Sequence, residues 1–340
     1  MVRLKDIAAR GGVCVTTVSK SLRGASDIAL ETQSRLRSLA QQMGYVPDSM
    51  AQGLRSRHTK LLGLVLSTVA NPIFAGTVPA LEDGAHELGC DLILAHHLNN
   101  PEREEACIRR LLSRRVDGFL IFPVYRLAPT AAIYEDLLQR RIPTVILGHR
   151  APFCARFHNV ETDDLQGSAL ITAHLLELGH KKIAFLCGPN SAPWAQERLE
   201  GYRRALRAAQ VECDDRLLFN AGATLEEGGQ AALQMLREAP FVTAVQSAGD
   251  LSAMGAANVF LNQGLRIPQD LSVAGFGNIL MSEHFRVPLT TVSEPKKRLG
   301  LAAMKMMQEL LRGGQPAARR LASEIILRAS TGPPGRPVQV

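Results

Sequence analysis

The chain has 340 residues, 46% of them hydrophobic and 21% charged, which supplies apolar surface for two or three ordinary cores and excludes a disordered protein. No stretch approaches the roughly 18 apolar residues of a membrane-spanning helix, and the opening MVRLKDIAAR lacks the apolar run of a secretion signal. The expectation is a cytoplasmic protein with no membrane partner. Six cysteines (Cys14, Cys90, Cys107, Cys154, Cys187, Cys213) are scattered without a C-x-x-C pair or a neighbouring histidine at ligand spacing. They read as reduced thiols, and neither a metal nor a cofactor is expected.

Residues 1 to 60 hold ten Lys and Arg against four Asp and Glu, so six of the seven net positive charges lie in the first sixth of the chain. A basic headpiece on a nearly neutral body points to a polyanion partner for the headpiece; the alternative is a solvated charged face. In chain order, Leu4, Ile7 and Ala8 fall at helical spacing until Gly11-Gly12. A second short helix spans 15–22, with Val18 and Leu22 one turn apart. A third runs over 31–43 on Leu36, Leu39, Ala40 and Met43, and Gly44 ends it. Two short helices joined by a glycine turn and closed by a third form a helix-turn-helix. Its geometry puts the start of the second helix in the major groove, which makes Val15, Thr16 and Lys20 the base-reading candidates. Thr17 and Ser19 suit phosphate contacts.

Beyond residue 60, apolar runs at 62–66, 92–95, 118–122 and 144–147 alternate with helical stretches near 74–89, 102–115 and 130–141. The alternation restarts with strands at 183–187, 242–245 and 271–276 and helices near 165–179, 195–209, 225–238 and 251–263. Such β-α units imply parallel sheets covered on both faces. The expected fold class is α/β: an all-α helix-turn-helix headpiece followed by two doubly wound parallel-sheet subdomains. Ligands of such sheets bind beyond the strand C-termini.

The segments LKDIAARGGVCVTTVSKSLRG and GYVPDSMAQGL resemble the start of a lac repressor/gal repressor family transcription factor. The similarity continues through NPIFAGTVPALEDGAHELG, RRVDGFLIFP, HLLELGHKKIAFLCGP, ERLEGYRRAL, IPQDLSVAGFGN and PLTTV, about 330 residues in family order. The resemblance implies a headpiece over 1–46 and a hinge helix and linker over 47–60. It further implies a periplasmic-binding-protein-like body, with subdomains of 61–159 plus 291–321 and 160–290 plus 322–332, and a tail over 333–340. The chain is then expected to cross between subdomains near Val160, Leu289 and Leu321.

Pro47, Asp48 and Ser49 suit a helix start, but so short a segment containing Gly53 does not hold a helix alone in water. By resemblance the hinge orders on operator DNA, with Ala51 and Leu54 in the minor groove and Leu54 as the apolar wedge. The other reading is a linker with an incidental leucine.

For the body, the resemblance makes Arg198 the group that grips an effector and Asp250 the acid opposite it. Trp194, the single tryptophan, either stacks on a sugar ring or fills a gap beside the hinge. Ile73 and Phe74 face the cleft, Phe74 being the better contact, with subdomain core as its alternative. His149 and Asn278 complete the expected effector set.

Departures from the family pattern at Gly249 and Gly277-Asn278 suggest a pocket with fewer carboxylates, and Ala223, where many members have a stacking Phe or Trp, leaves Trp194 to supply the aromatic wall. The effector is then bulkier or less hydroxylated than a free monosaccharide: a glycoside, a disaccharide or a sugar acid. Cys14 and Ala29 stand where the family has a capping serine, which leaves the headpiece only marginally stable. Lys20 in place of arginine loosens base preference.

The implied partners are near-palindromic double-stranded operator DNA, a small-molecule effector of carbohydrate type and a second copy of the chain in a homodimer. The implied activity is repression under effector control. A regulator without ligand control and a cytosolic sugar-binding protein are the alternatives. No nucleophile-base set, phosphate loop or H-E-x-x-H supports an enzyme. His97, His174 and His180 read as structural or surface residues.

Overall fold

The computed structural model describes residues 2–46 and 58–335. The chain divides into two compact units, Met1–Thr59 and Lys60–Val340. The expected hinge residues Pro47, Asp48, Ser49, Ala51 and Leu54 lie outside the described residues.

In the first unit, α1 (Leu4–Gly11), α2 (Val15–Leu22) and α3 (Leu30–Gln42) close over Ile7, Ala8, Val18, Leu36 and Ala40. The period of the apolar residues dictates this, since each helix offers one narrow stripe and three stripes seal a small core. Gly12 adopts φ 66° and turns the chain out of α1. Gly11 has a packing reason as well: a Cβ there would sit 2.8 Å from Leu36 Cδ2. The N-caps of α2 and α3 are Cys14 and Ala29, and neither makes a side-chain capping bond.

The second unit runs β1 (Leu61–Leu66), α4 (Thr77–Glu87), β2 (Asp91–His96), α5 (Pro101–Ser113), β3 (Gly118–Ile121), α6 (Ala132–Gln139), β4 (Thr144–Leu147) and β5 (His158–Thr162). It continues with α7 (Asp164–Glu177), β6 (Ile183–Cys187), α8 (Pro193–Ala208), β7 (Leu218–Asn220), α9 (Leu225–Glu238), β8 (Ala244–Ser247), α10 (Asp250–Asn262) and β9 (Ser272–Ala274). Then come α11 (Leu280–His284), β10 (Thr291–Ser293), α12 (Lys296–Leu311), β11 (Arg319–Leu321) and β12 (Glu324–Ile326).

Two parallel sheets result, in the orders β11-β5-β4-β3-β1-β2 and β7-β6-β8-β9. The central strands are buried on both faces, which is why β3 (GFLI) is continuously apolar and β4 (TVIL) is apolar after Thr144. Side chains on the helices enforce the layering. Gly300 on α12 lets that helix approach α4, where a Cβ would meet Ala80 Cβ at 2.8 Å.

The chain passes between the sheets at 162–164, 293–296 and 321–324. The first passage falls just after the expected Val160, because β5 pairs with β4 as far as Val160 and with β11 on through Thr162. The second falls later than the expected Leu289: bridges Ala274–Thr290 and Gly277–Ser293 hold β10 beside β9 before the chain leaves. The third follows β11, which ends at Leu321.

Candidate functional site

A cavity of ≈ 410 Å³ opens between the two sheets, at the strand C-termini, lined from both sides. Ser67, Ile73, Phe74, His97 and Phe122 come from the loops of the first sheet, and Trp194, Arg198, Asp250 and Phe276 from the second. The connecting segments contribute Asp164 and Glu294. Local rules build these loops. Asn71 accepts from the Ile73 amide at 3.1 Å and, with Pro72, shapes the turn that presents Ile73 and Phe74. Thr224 and Glu227 form a capping box that starts α9 beside Gly222 and Ala223 at the cavity wall.

Arg198, on α8, is buried and heavily engaged. Its Nε donates to Asp164 Oδ1 at 2.7 Å, one terminal nitrogen to the Ala248 carbonyl at 2.6 Å and the other to Glu294 Oε1 at 2.7 Å. Its guanidinium lies 3.6 Å from the Phe276 ring centroid and 4.7 Å from that of Trp194. Trp194 therefore lines the cavity while stacking on Arg198, and its ring also packs over Gly188. Phe74 serves both expected readings, since it lines the cavity and packs edge-on to Phe122 at 4.7 Å within the first sheet's apolar cluster.

Asp250 lines the cavity but is spent internally, accepting from Thr291 Oγ1 at 2.5 Å, the Ile279 amide at 2.9 Å and Ser282 Oγ at 3.2 Å. Burial raises its pKa despite those donors. Burial likewise raises Glu294, opposed by Arg198. His149 is buried with Nδ1 3.5 Å from Asp164 and Nε2 3.1 Å from Glu197 on α8. Burial lowers its pKa, but contact with Glu197 and the charge of Asp164 outweigh it, and the net shift is upward. Arg320 on β11 ties Glu161, Asp163 and Glu197 together nearby.

Two expectations are corrected. Asn278 is not a lining residue: its Nδ2 donates to Ser293 Oγ at 3.1 Å and its Oδ1 accepts from Arg328 at 2.8 Å, so the side chain braces β10 and the following segment. Nor is the cavity poor in carboxylates, because Asp164, Asp250 and Glu294 all line it. Asp164 and Glu294 escaped the sequence reading because their partner Arg198 is 34 and 96 residues away. His97, read as structural or surface, also lines the cavity. Its Nε2 meets the Phe122 carbonyl at 2.9 Å, and burial holds its pKa down to about 4.

In the first unit, Val15 and Thr16 are exposed at the start of α2, with Thr17, Ser19 and Lys20 half-buried beside them. Cys14 Sγ lies 3.1 Å from Thr17 Oγ1, which lowers the thiol pKa. Lys20 is ion-paired with Asp27 across an exposed surface. Among the described residues no group of three or more His, Cys, Asp or Glu could hold a metal ion, and no helix is long and apolar enough to cross a membrane.

A family profile described as bacterial regulatory proteins, lacI family, matches residues 3–48, and one described as a periplasmic binding protein-like domain matches 172–331. The HTH-type transcriptional repressor PurR of Serratia proteamaculans is 32% identical over 307 residues, covering 90% of this chain and 89% of the relative. Among solved structures, the lac repressor dimer bound to operator and the anti-inducer ONPF superimposes with a TM-score of 0.85 at 27% identity, over 97% of this chain and 99% of that one. A transcriptional regulator CelR–cellobiose complex gives a TM-score of 0.74 at 28% identity, over 97% and 100% of the two chains. These similarities run the length of a chain whose first unit is a helix-turn-helix and whose second encloses a cavity between parallel sheets: the protein belongs to the lacI family of bacterial regulatory proteins.

Proposed function

We propose that this protein is a sequence-specific transcriptional repressor whose operator affinity is set by a small ligand held in the cavity between the two sheets. The observation that carries the reading is the pairing of an exposed, basic helix-turn-helix with a cavity whose walls come from two sheets joined by three short crossings. A ligand touching both walls couples to their relative disposition, and reciprocity requires that it distinguish operator-bound from free protein. In this reading the subdomains are 61–162 with 294–321 and 163–293 with 322–332.

The roles follow from residue chemistry. Val15, Thr16 and Lys20 read base edges, and Thr17 and Ser19 contact phosphate. Ala51 and Leu54 enter the minor groove. Ile73, Phe74, Trp194, Arg198, His149 and Asp250 bound or brace the effector site. The effector is carbohydrate-like, in keeping with the cellobiose named in one solved relative. A homodimer presents two headpieces to a near-palindromic operator, in the cytoplasm. Lys20 must leave Asp27 to reach DNA, so operator binding includes breaking that pair.

The test is fluorescence anisotropy of a labelled operator duplex with the full chain, at several salt concentrations, with and without sugars, glycosides and nucleosides. The reading expects steep loss of affinity with salt and a change of at least tenfold with one ligand class. A ligand that fills the cavity without changing operator affinity would remove the coupling from the account.

A further inference from the structure

The charges around Arg198 form a closed set. Its Nε and both terminal nitrogens are committed to Asp164, Glu294 and the Ala248 carbonyl, and Trp194 and Phe276 cover the guanidinium. Glu294 is half-buried at the second crossing and lines the same cavity, where its carboxylate meets Arg198. We propose that Glu294 is the specificity-determining residue of the effector site: with Asp164 it sets two carboxylates against the single charge of Arg198, so that the cavity takes an uncharged glycoside and refuses carboxylates and phosphates. This rests on the reading of the cavity as the effector site, and it removes the sugar acids from the three classes that the residue pattern suggests.

An anion entering the cavity finds no free cation to meet it. Among the described lining residues the basic side chains are Arg198, His97 and His149. His97 is neutral near pH 7, its pKa lying at about 4, and its Nε2 is used by the Phe122 carbonyl. His149 faces Asp164 and Glu197. Lys296 stands behind the wall, its amine donating to the Gly277 and Asn278 carbonyls. An anion would have to displace a carboxylate from Arg198 and leave it buried without a partner, which is among the costlier rearrangements in a protein interior.

What remains available suits an uncharged molecule. The side chains of Ser67, Asn99 and Ser191 line the cavity without a partner among the described residues, and each offers neutral donors or acceptors for hydroxyls. The aromatic walls, Phe74 with Phe122 on one side and Trp194 on the other, suit a ring face or an apolar aglycone. A sugar joined to an apolar or planar group meets both requirements. Aryl glycosides and nucleosides share that chemistry, and separate titrations with phenyl glucoside and uridine distinguish them.

The experiment follows Trp194 fluorescence while the full-length protein and its Glu294→Gln variant are titrated with acetate, inorganic phosphate and gluconate. Trp194 is the single tryptophan and touches Arg198, so it reports an anion arriving there. The native protein should show no saturable response, and the variant should bind at least one of the anions tenfold or more tightly than the native protein does. The amide preserves the shape and one acceptor, and an unchanged thermal melt identifies a folded variant. Saturable anion binding by the native protein would overturn the proposal even if the variant does not fold. A folded variant with no gain would also overturn it. Neither result touches the effector reading, which stands or falls on whether cavity occupancy changes operator affinity.

Discussion

Replacing Arg198 with methionine keeps the apolar stem of the side chain and deletes the guanidinium that three acceptors share. Asp164 is 1% exposed in its side chain and Glu294 14%, so both carboxylates would be left in a low-dielectric site without their cation. Breaking a buried pair from one side costs about 3–5 kcal/mol. Added methionine packing against Trp194 and Phe276 recovers only part of this. For a unit of this size the melting temperature should fall by on the order of 10 °C.

The loss should depend on pH, and its sign is fixed. Burial already raises the pKa of Glu294 against the opposing charge of Arg198, and without that charge it lies higher still, so the folded variant binds more protons than the unfolded chain. Its stability then falls as pH rises. Urea unfolding at pH 5 and pH 8 should show a larger deficit relative to the native protein at pH 8. A deficit below about 1 kcal/mol, or one equal at the two pH values, would refute the buried triad as described.

Other consequences are independent of that triad. His97, buried with a pKa of about 4, should cost stability as pH falls from 6.5 towards 4, by about 3 kcal/mol in total, because only the unfolded chain takes up the proton over that range. His97→Gln should flatten this part of the stability profile, and an unchanged slope would show that another group titrates there. His149 has the opposite sign. Its raised pKa gives stability that is complete below pH 6.5 and lost as pH rises through the folded value, so the difference between native and His149→Gln should vanish at alkaline pH in thermal melts. Asp27→Asn frees Lys20 and removes a negative charge beside the proposed base-reading helix, and anisotropy should show operator affinity rising severalfold at low salt. Ala29→Ser supplies the missing cap of α3 and should stabilise the headpiece by about 1 kcal/mol, read by hydrogen exchange over residues 4–44. Unaltered protection there would show that the cap position is not limiting.

The headpiece was legible in the sequence because its signals are local: one apolar stripe per helix and glycines at 12 and 44 with positive φ. Its helices fall within a residue or so of the expected bounds. The β-α alternation was legible for the same reason, since doubly covered strands are continuously apolar. The strand expected over 242–245 is instead Ala244–Ser247, where Val242 packs in the turn before it. Strands β7, β10, β11 and β12 each span three residues, too few for a period to register. Helix α12 carries Gly300 on its packed face, which reads as a breaker until its contact with Ala80 is seen.

The site was legible only in part. Trp194, Arg198, Asp250, Phe74, Ile73 and His149 line one cavity. What sequence could not give is how their bonding capacity is used. Arg198 and Asp250 look free in one dimension, yet Asp164, Glu294, Thr291 and Ser282 occupy them in three. Asn278 was misassigned because its partners, Ser293 and Arg328, arrive from a later crossing and from the segment after β12.

The most direct test of the central claim is selection of bound sites from a pool of random DNA duplexes by the full-length protein at physiological salt. The account predicts recovery of a near-palindromic sequence, whose two halves are related by the two-fold axis of a dimer, and loss of the enrichment when Val15 and Thr16 are both replaced by glutamate. Recovery of no common sequence, or of the same sequence by the doubly substituted protein, would contradict the claim that the exposed start of α2 reads an operator.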